Sequence, residues 1–225
     1  MIRASVLPLG HDSRQRMTSK NGHSGERKGY HHGNLRQALI NTALLLISEK
    51  GAAGFTIAEA ARAAGVSPAA PYRHFKDRDA LLADVAEQGL GVFAAGLSDA
   101  WADGQPDPRA AFQRMGRAYL AFAREEPSYF AAMFESGLSF KSYPALQEAS
   151  DRAFAVLRDG CEALIATLPA GRRPPVMMMA LHIWSLSHGI AALFSRGDDT
   201  RRSIPMEPED LLEAAVLIYM DGLNS

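Results

Sequence analysis

The chain has 225 residues, 47% of them hydrophobic and 22% charged, with a net charge of −1. That composition excludes a low-complexity chain and fits one large domain or a small domain joined to a larger one. The single cysteine, Cys161, excludes an internal disulfide and points to a reducing cytoplasm.

No uncharged apolar stretch is expected to reach the ~18 residues a membrane span needs, so no membrane partner is expected. "MIRASVLPLG" reads as too short and too polar-flanked for a secretory signal. The charge is unevenly spread. Residues 1–29 carry six Lys/Arg against two Asp/Glu, a net +4; residues 30–82 carry six against four, a net +2; residues 83–225 carry twelve against nineteen, a net −7. A basic front on an acidic body suits a protein that meets a polyanion with its N-terminal part. A solvated tail on an acidic globule has the same balance.

Residues 1–29 lack apolar periodicity and read as a disordered basic tail, in which Met17 competes with Met1 as the start. From Asn34 a helical pattern begins. Leu35, Leu39, Thr42 and Leu46 share one face; Asn34 is its expected cap and Gly51 its expected left-handed close. A shorter helix follows in "FTIAEAARAAG", with Thr56 and Glu59 at capping-box spacing and Gly65 at its end. A third helix is expected in "GVSPAAPYRHF", with Ser67 as cap, Pro68 at the first helical position and Pro71 still within its start. A long fourth helix puts Leu82, Val85, Ala86, Gly89 and Phe93 on one face.

After a Gly/Pro/Asp break at 103–108 the next helix aligns Phe112, Met115, Tyr119 and Phe122. Pro127 and Pro144 open two more helices, and the last two run from about Val176 to Ser195 and from Pro208 to Leu223. Nine helices and no convincing strand make an all-α fold. The last two helices are apolar nearly all round and need cover on two sides. The chain's own core supplies one cover. A second subunit, with Ile183, Ile190, Leu212, Val216 and Tyr219 at the seam, is a candidate for the other; a buried central helix in a monomer has the same pattern.

Residues 56–75 form a short helix, a glycine turn and a second short element, the helix-turn-helix pattern. The end of the second element carries the small groups Ser67, Pro68, Ala69, Ala70 and Pro71, suited to phosphates and thymine methyls. Tyr72, Arg73, His74 and Lys76 reach the backbone or groove, and Thr56 offers phosphate a hydroxyl and a helix N-terminus. Phe75 reads as core.

Residues 30–82 resemble the DNA-binding domain of the tetracycline-repressor (TetR) family, through "ALLLISEKGAAGFTIAEAARAAGVSPAAPYRHFKDRDALL". Pro71 departs from the family's usual aliphatic residue. Residues 83–225 resemble the C-terminal domain of a subgroup with a Trp-His-Gly signature, the WHG domain, through Trp184, His188 and Gly189 in "HIWSLSHGIAALF". The resemblance implies a homodimer on a palindromic operator of double-stranded DNA, usually a repressor, whose affinity falls when a small molecule binds the C-terminal domain. By position it places Thr56, Ser67, Tyr72, His74 and Lys76 on DNA, with Gly33 and Asn34 at phosphate.

An apolar pocket between bundle helices is expected, with Phe112, Tyr119, Phe122, Met133, Phe134, Trp184 and His188 as candidate walls. No nucleophile, acid/base pair or metal set stands out. His31 and His32 are adjacent in a loop without a ligand-spaced partner, so no cofactor or metal is expected. A helical enzyme using His182 and His188, or a protein-binding adaptor, are the competing readings.

Overall fold

The computed structural model describes residues 35–194 and 205–224. The expected basic tail, His31, His32 and the Gly33–Asn34 cap and phosphate site lie outside the described residues. Helix α1 (Leu35–Lys50) buries Leu39, Ile40, Ala43, Leu46 and Ile47, and closes at Gly51 with φ +76° and an N–H to the Ile47 carbonyl. Helix α2 (Ile57–Ala63) starts with the full capping box. The Thr56 side chain accepts the Glu59 N–H, and the Glu59 carboxylate accepts the Thr56 N–H at 2.8 Å. Lys50 Nζ lies 2.7 Å from the same carboxylate. These donors hold its pKa down to about 2.

The expected third α-helix is instead a single 3₁₀ turn, Ala70–Arg73. The reason is Pro71. It has no N–H to give the Ser67 carbonyl four residues back. That carbonyl takes the Ala70 N–H at 3.0 Å, and the Pro71 carbonyl takes the N–H groups of both His74 and Phe75 at 2.9 Å. The N-cap position of the turn is Ala69, without a side-chain acceptor, so Ser67 is not the cap.

Helix α3 (Arg78–Trp101), capped by Asp77, is the central helix of the described bundle. It packs against α1, α4 (Pro108–Glu125), α5 (Pro127–Phe134) and α6 (Pro144–Ala166). The face read from the sequence is the buried one: Leu82, Val85, Ala86, Gly89 and Phe93. Gly89 is needed there, because a Cβ would lie 2.9 Å from a Tyr129 ring carbon on α5. Proline opens α4, α5 and α6, and also α8 (Pro208–Asn224). The described residues form eight α-helices and no strand.

Helix α7 (Val176–Phe194) overturns one expectation. Its 19 residues contain no Asp, Glu, Lys or Arg, so an uncharged apolar stretch of spanning length does exist, and α3 is also long and apolar enough. In this fold one side of α7 packs on α4, α6 and α8. Ile183, Ile190 and Leu212, expected at a dimer seam, are buried in the chain's own core; Val216 and Tyr219 are half-buried. A helix apolar on all sides does not reveal which stripe turns inward. The outward stripe is Met178, Leu181, His182, Ser185 and Gly189 on α7, with Ile218 on α8.

Candidate nucleic-acid interface and ligand cavity

The helix-turn-helix presents its polar groups on the outside. Thr56, Ser67, Pro68, Ala69, Tyr72, Arg73, His74 and Lys76 are exposed, and Ala70 is half-exposed. Tyr72 is 58% exposed, a large aromatic without cover. Pro71 does not belong to this set. Its ring is fully buried, so the expectation that it offers a rigid surface to the groove is corrected: Pro71 shapes the turn and plugs the core beside Phe75. Because the turn is tighter than an α-helix, the side chains flanking Pro71 are swung outward while Pro71 and Phe75 point in.

Arg78 holds this arrangement together, and the sequence reading missed it. Its Nε donates to the Phe55 carbonyl at 3.1 Å, its Nη2 to the Ala52 carbonyl, and its guanidinium lies 4.9 Å from the Phe55 ring centre. It thus ties the α1–α2 loop to the first turn of α3. The chain between these partners is more than twenty residues, so no local spacing signals the contact. Arg78→Ala is expected to lower stability by about 1–3 kcal/mol, from the lost hydrogen bonds to two loop carbonyls. Arg78→Lys should recover only part, since an ammonium cannot fork or stack in the same way. Thermal denaturation checks both; an unchanged midpoint in the alanine variant refutes the clamp.

Two further contacts join the front to the body. Arg36 Nη2 lies 2.5 Å from Asp84 Oδ2, and Gln37 and Gln88 exchange side-chain hydrogen bonds at 3.1 and 3.3 Å, both pairs linking α1 to α3. Lys76 Nζ sits 5.6 Å from the Tyr143 ring centre at the start of α6.

A cavity of about 300 Å³ lies between α3, α4, α6, α7 and α8, with the end of α5 at its edge. Of the expected walls, Phe112, Tyr119, Phe134 and Trp184 line it. Phe122 and Met133 do not. Phe122 packs on Phe93 with ring centres 5.0 Å apart, and Met133 fills the space left by Gly89. His188 stands behind the wall. Its Nδ1 is 3.0 Å from the Tyr119 hydroxyl, and its ring stacks on Phe130. Burial lowers the His188 pKa below the ordinary imidazole value and raises that of the Tyr119 phenol. Both groups are therefore neutral at pH 7.

His182 does not join His188. It faces Tyr219 on α8, with Nδ1 3.3 Å from the hydroxyl, so the two histidines form no acid/base pair. Cys161 is buried, and burial pushes its thiol pKa up to about 12, which removes thiolate reactivity at neutral pH. Among the described residues no cluster of three metal-ligating side chains occurs.

Two family models match the chain. Residues 39–85 match "Bacterial regulatory proteins, tetR family", and residues 112–219, which include Trp184, His188 and Gly189, match "Tetracyclin repressor-like, C-terminal domain". Among curated proteins, an uncharacterised helix-turn-helix-type transcriptional regulator of Bacillus subtilis, YobS, is 23% identical over 85% of this chain and 93% of its own. A solved Rhodococcus sp. RHA1 protein of unknown function is 30% identical, with a TM-score of 0.72, over 88% of this chain and all of that one. The TetR-family regulator PfmR of Thermus thermophilus shares the fold, with a TM-score of 0.61 at 23% identity over 82% of this chain and 96% of its own.

Proposed function

Because the chain belongs to the tetracycline-repressor (TetR) family of DNA-binding transcription regulators, which are not enzymes, we propose that it is a homodimeric repressor released from a palindromic operator by a small molecule in the cavity. The observation that carries this reading is the course of α3. The helix starts two residues after Lys76, and its Leu90, Phe93 and Leu97 form part of the cavity wall. A ligand that presses on those three residues moves the element on which the helix-turn-helix is mounted. In a dimer that changes the separation of the two recognition elements, which must lie about 34–36 Å apart, or a multiple, to enter successive major grooves. The ligand must bind the two arrangements with different affinity, since equal affinity shifts nothing.

The second subunit is supported by the outward faces of α7 and α8. Met178, Leu181 and Ile218 are exposed there. At Gly189 an added Cβ would meet no atom within 4 Å. The His182–Tyr219 contact makes the faces of the two helices adjoin. An apolar two-helix face on one molecule is self-complementary under a two-fold axis, and a two-fold protein matches a palindromic site.

Gel-shift titration of the full chain tests the reading. A DNA fragment from its own promoter is expected to bind at least about a thousandfold more tightly than random DNA at matched salt, the lower end of the usual span of specificity ratios. Equal affinity for both fragments rejects it.

A further inference from the structure

Among the polar groups of the cavity wall, the most buried without a protein partner is the Ser187 hydroxyl. Ser187 is 3% exposed, sits on the inner side of α7 and lines the cavity. Among the described residues its hydroxyl makes no hydrogen bond. A helical hydroxyl commonly bonds the carbonyl four residues back, as Thr42 does with Ala38 at 2.8 Å; Ser187 does not. Ser187 Oγ is not among the fully enclosed oxygens without a partner, so it keeps access to the cavity, and a polar group on a ligand there is placed to satisfy it.

The rest of the lining restricts what enters. Phe93, Phe112, Phe134, Phe154 and Trp184 supply ring faces, which favour stacked or edge-on aromatic partners. The polar groups at depth, the Tyr119 hydroxyl and the His188 ring behind it, are neutral. The charged lining residues are Asp151, Glu209, Glu213 and Arg117; Arg117 pairs with Glu213 at 3.2 Å and Glu209 with Arg124 at 2.8 Å, which leaves Asp151 as the charge in excess. An anionic ligand would have to displace one of those pairs and face the Asp151 carboxylate.

Resting on the reading of the cavity as the effector site, we propose that the effector is an uncharged, largely aromatic molecule of about three fused rings, with a hydroxyl or carbonyl that pairs with the Ser187 hydroxyl. Carboxylates and phosphates of the same shape are rejected.

Three probes built on one ring system test this on the full chain: phenanthren-9-ol, phenanthrene and phenanthrene-9-carboxylate, with dissociation constants from calorimetry. The alcohol is expected to bind about fivefold to tenfold more tightly than the hydrocarbon, one net hydrogen bond, and the carboxylate weakest of the three. In Ser187→Ala the alcohol should fall to the affinity of the hydrocarbon, whose own affinity is retained. The unliganded variant should melt no lower than the parent, because no hydrogen bond is lost. Tightest binding by the carboxylate, equal binding of all three, no binding at all, or an alcohol preference that survives Ser187→Ala each overturns the proposal. Operator release is scored separately by gel shift. If the alcohol binds in the expected order but leaves DNA affinity unchanged, the ligand class stands and the release mechanism falls.

Discussion

Arg73→Ala combined with Lys76→Ala is expected to abolish useful operator binding while leaving the fold intact. Both side chains are exposed beside the 3₁₀ turn, where they face solvent and can grip phosphate. A dimer loses four cations. At up to about 1 kcal/mol for each exposed, screened contact, affinity should fall by as much as roughly a thousandfold. The loss should be nearly uniform across DNA sequences, because phosphate contacts position the protein without reading bases. It should also flatten the dependence of log affinity on log salt, by about 0.9 per contact and hence about 3.6 for four. Among the described residues, Lys76 meets the body at the Tyr143 ring, 5.6 Å away, a contact worth about 0.5–1 kcal/mol at an exposed site. Any drop in melting temperature must therefore be small beside the loss of DNA affinity. Arg152→Ala, on exposed α6 and paired with Glu148 at 3.9 Å, is the control and should leave both quantities unchanged. An unchanged salt slope in the double variant would put the DNA face elsewhere.

The contrast between Pro71 and Tyr72 shows what the sequence discloses about this site. Helix ends were legible because they rest on local chemistry: Thr56 with Glu59, Gly51 at positive φ, and a proline at each of four helix starts. The core face of α3 was legible because period alone defines it. The direction in which Pro71 points was not. It depends on whether the turn closes as α or 3₁₀, and that hinges on one missing N–H whose consequence is tertiary. The same limit applies to α7. Apolar residues lie on both its inner and outer stripes, so the sequence assigned Ile183 and Ile190 to the seam, whereas packing against α4, α6 and α8 claims them for the core. Arg78 and the Gln37–Gln88 pair were invisible, because their partners lie more than twenty residues away. Ser187 left a faint trace: a lone hydroxyl on the stripe shared with Ile183, Ile190 and Ala191, where only apolar groups belong.

Ile218→Glu should have the other large effect, on assembly. Ile218 is 73% exposed, so the substitution removes no packing within the chain, and a monomer should melt almost as the parent subunit does. At a two-fold seam built on α7 and α8 the consequence is different. The variant places two carboxylates, one from each subunit, against the outward Met178 and Leu181 face or against each other. Desolvating an unpaired charge costs several kcal/mol, and two of them exceed what the lost isoleucine burial of about 1.5–3 kcal/mol each alone would remove. Sedimentation is expected to show a dimer for the parent chain and a monomer for Ile218→Glu at the same micromolar concentration. DNA binding should follow, because a lone subunit reads a single half-site with the few contacts that one short turn offers. Ile218→Leu, which keeps the apolar surface, should remain dimeric. If Ile218→Glu stays dimeric with full operator affinity, the α8 face is not the seam. If the parent chain is itself monomeric and binds DNA as tightly, the two-fold model of operator recognition fails with it.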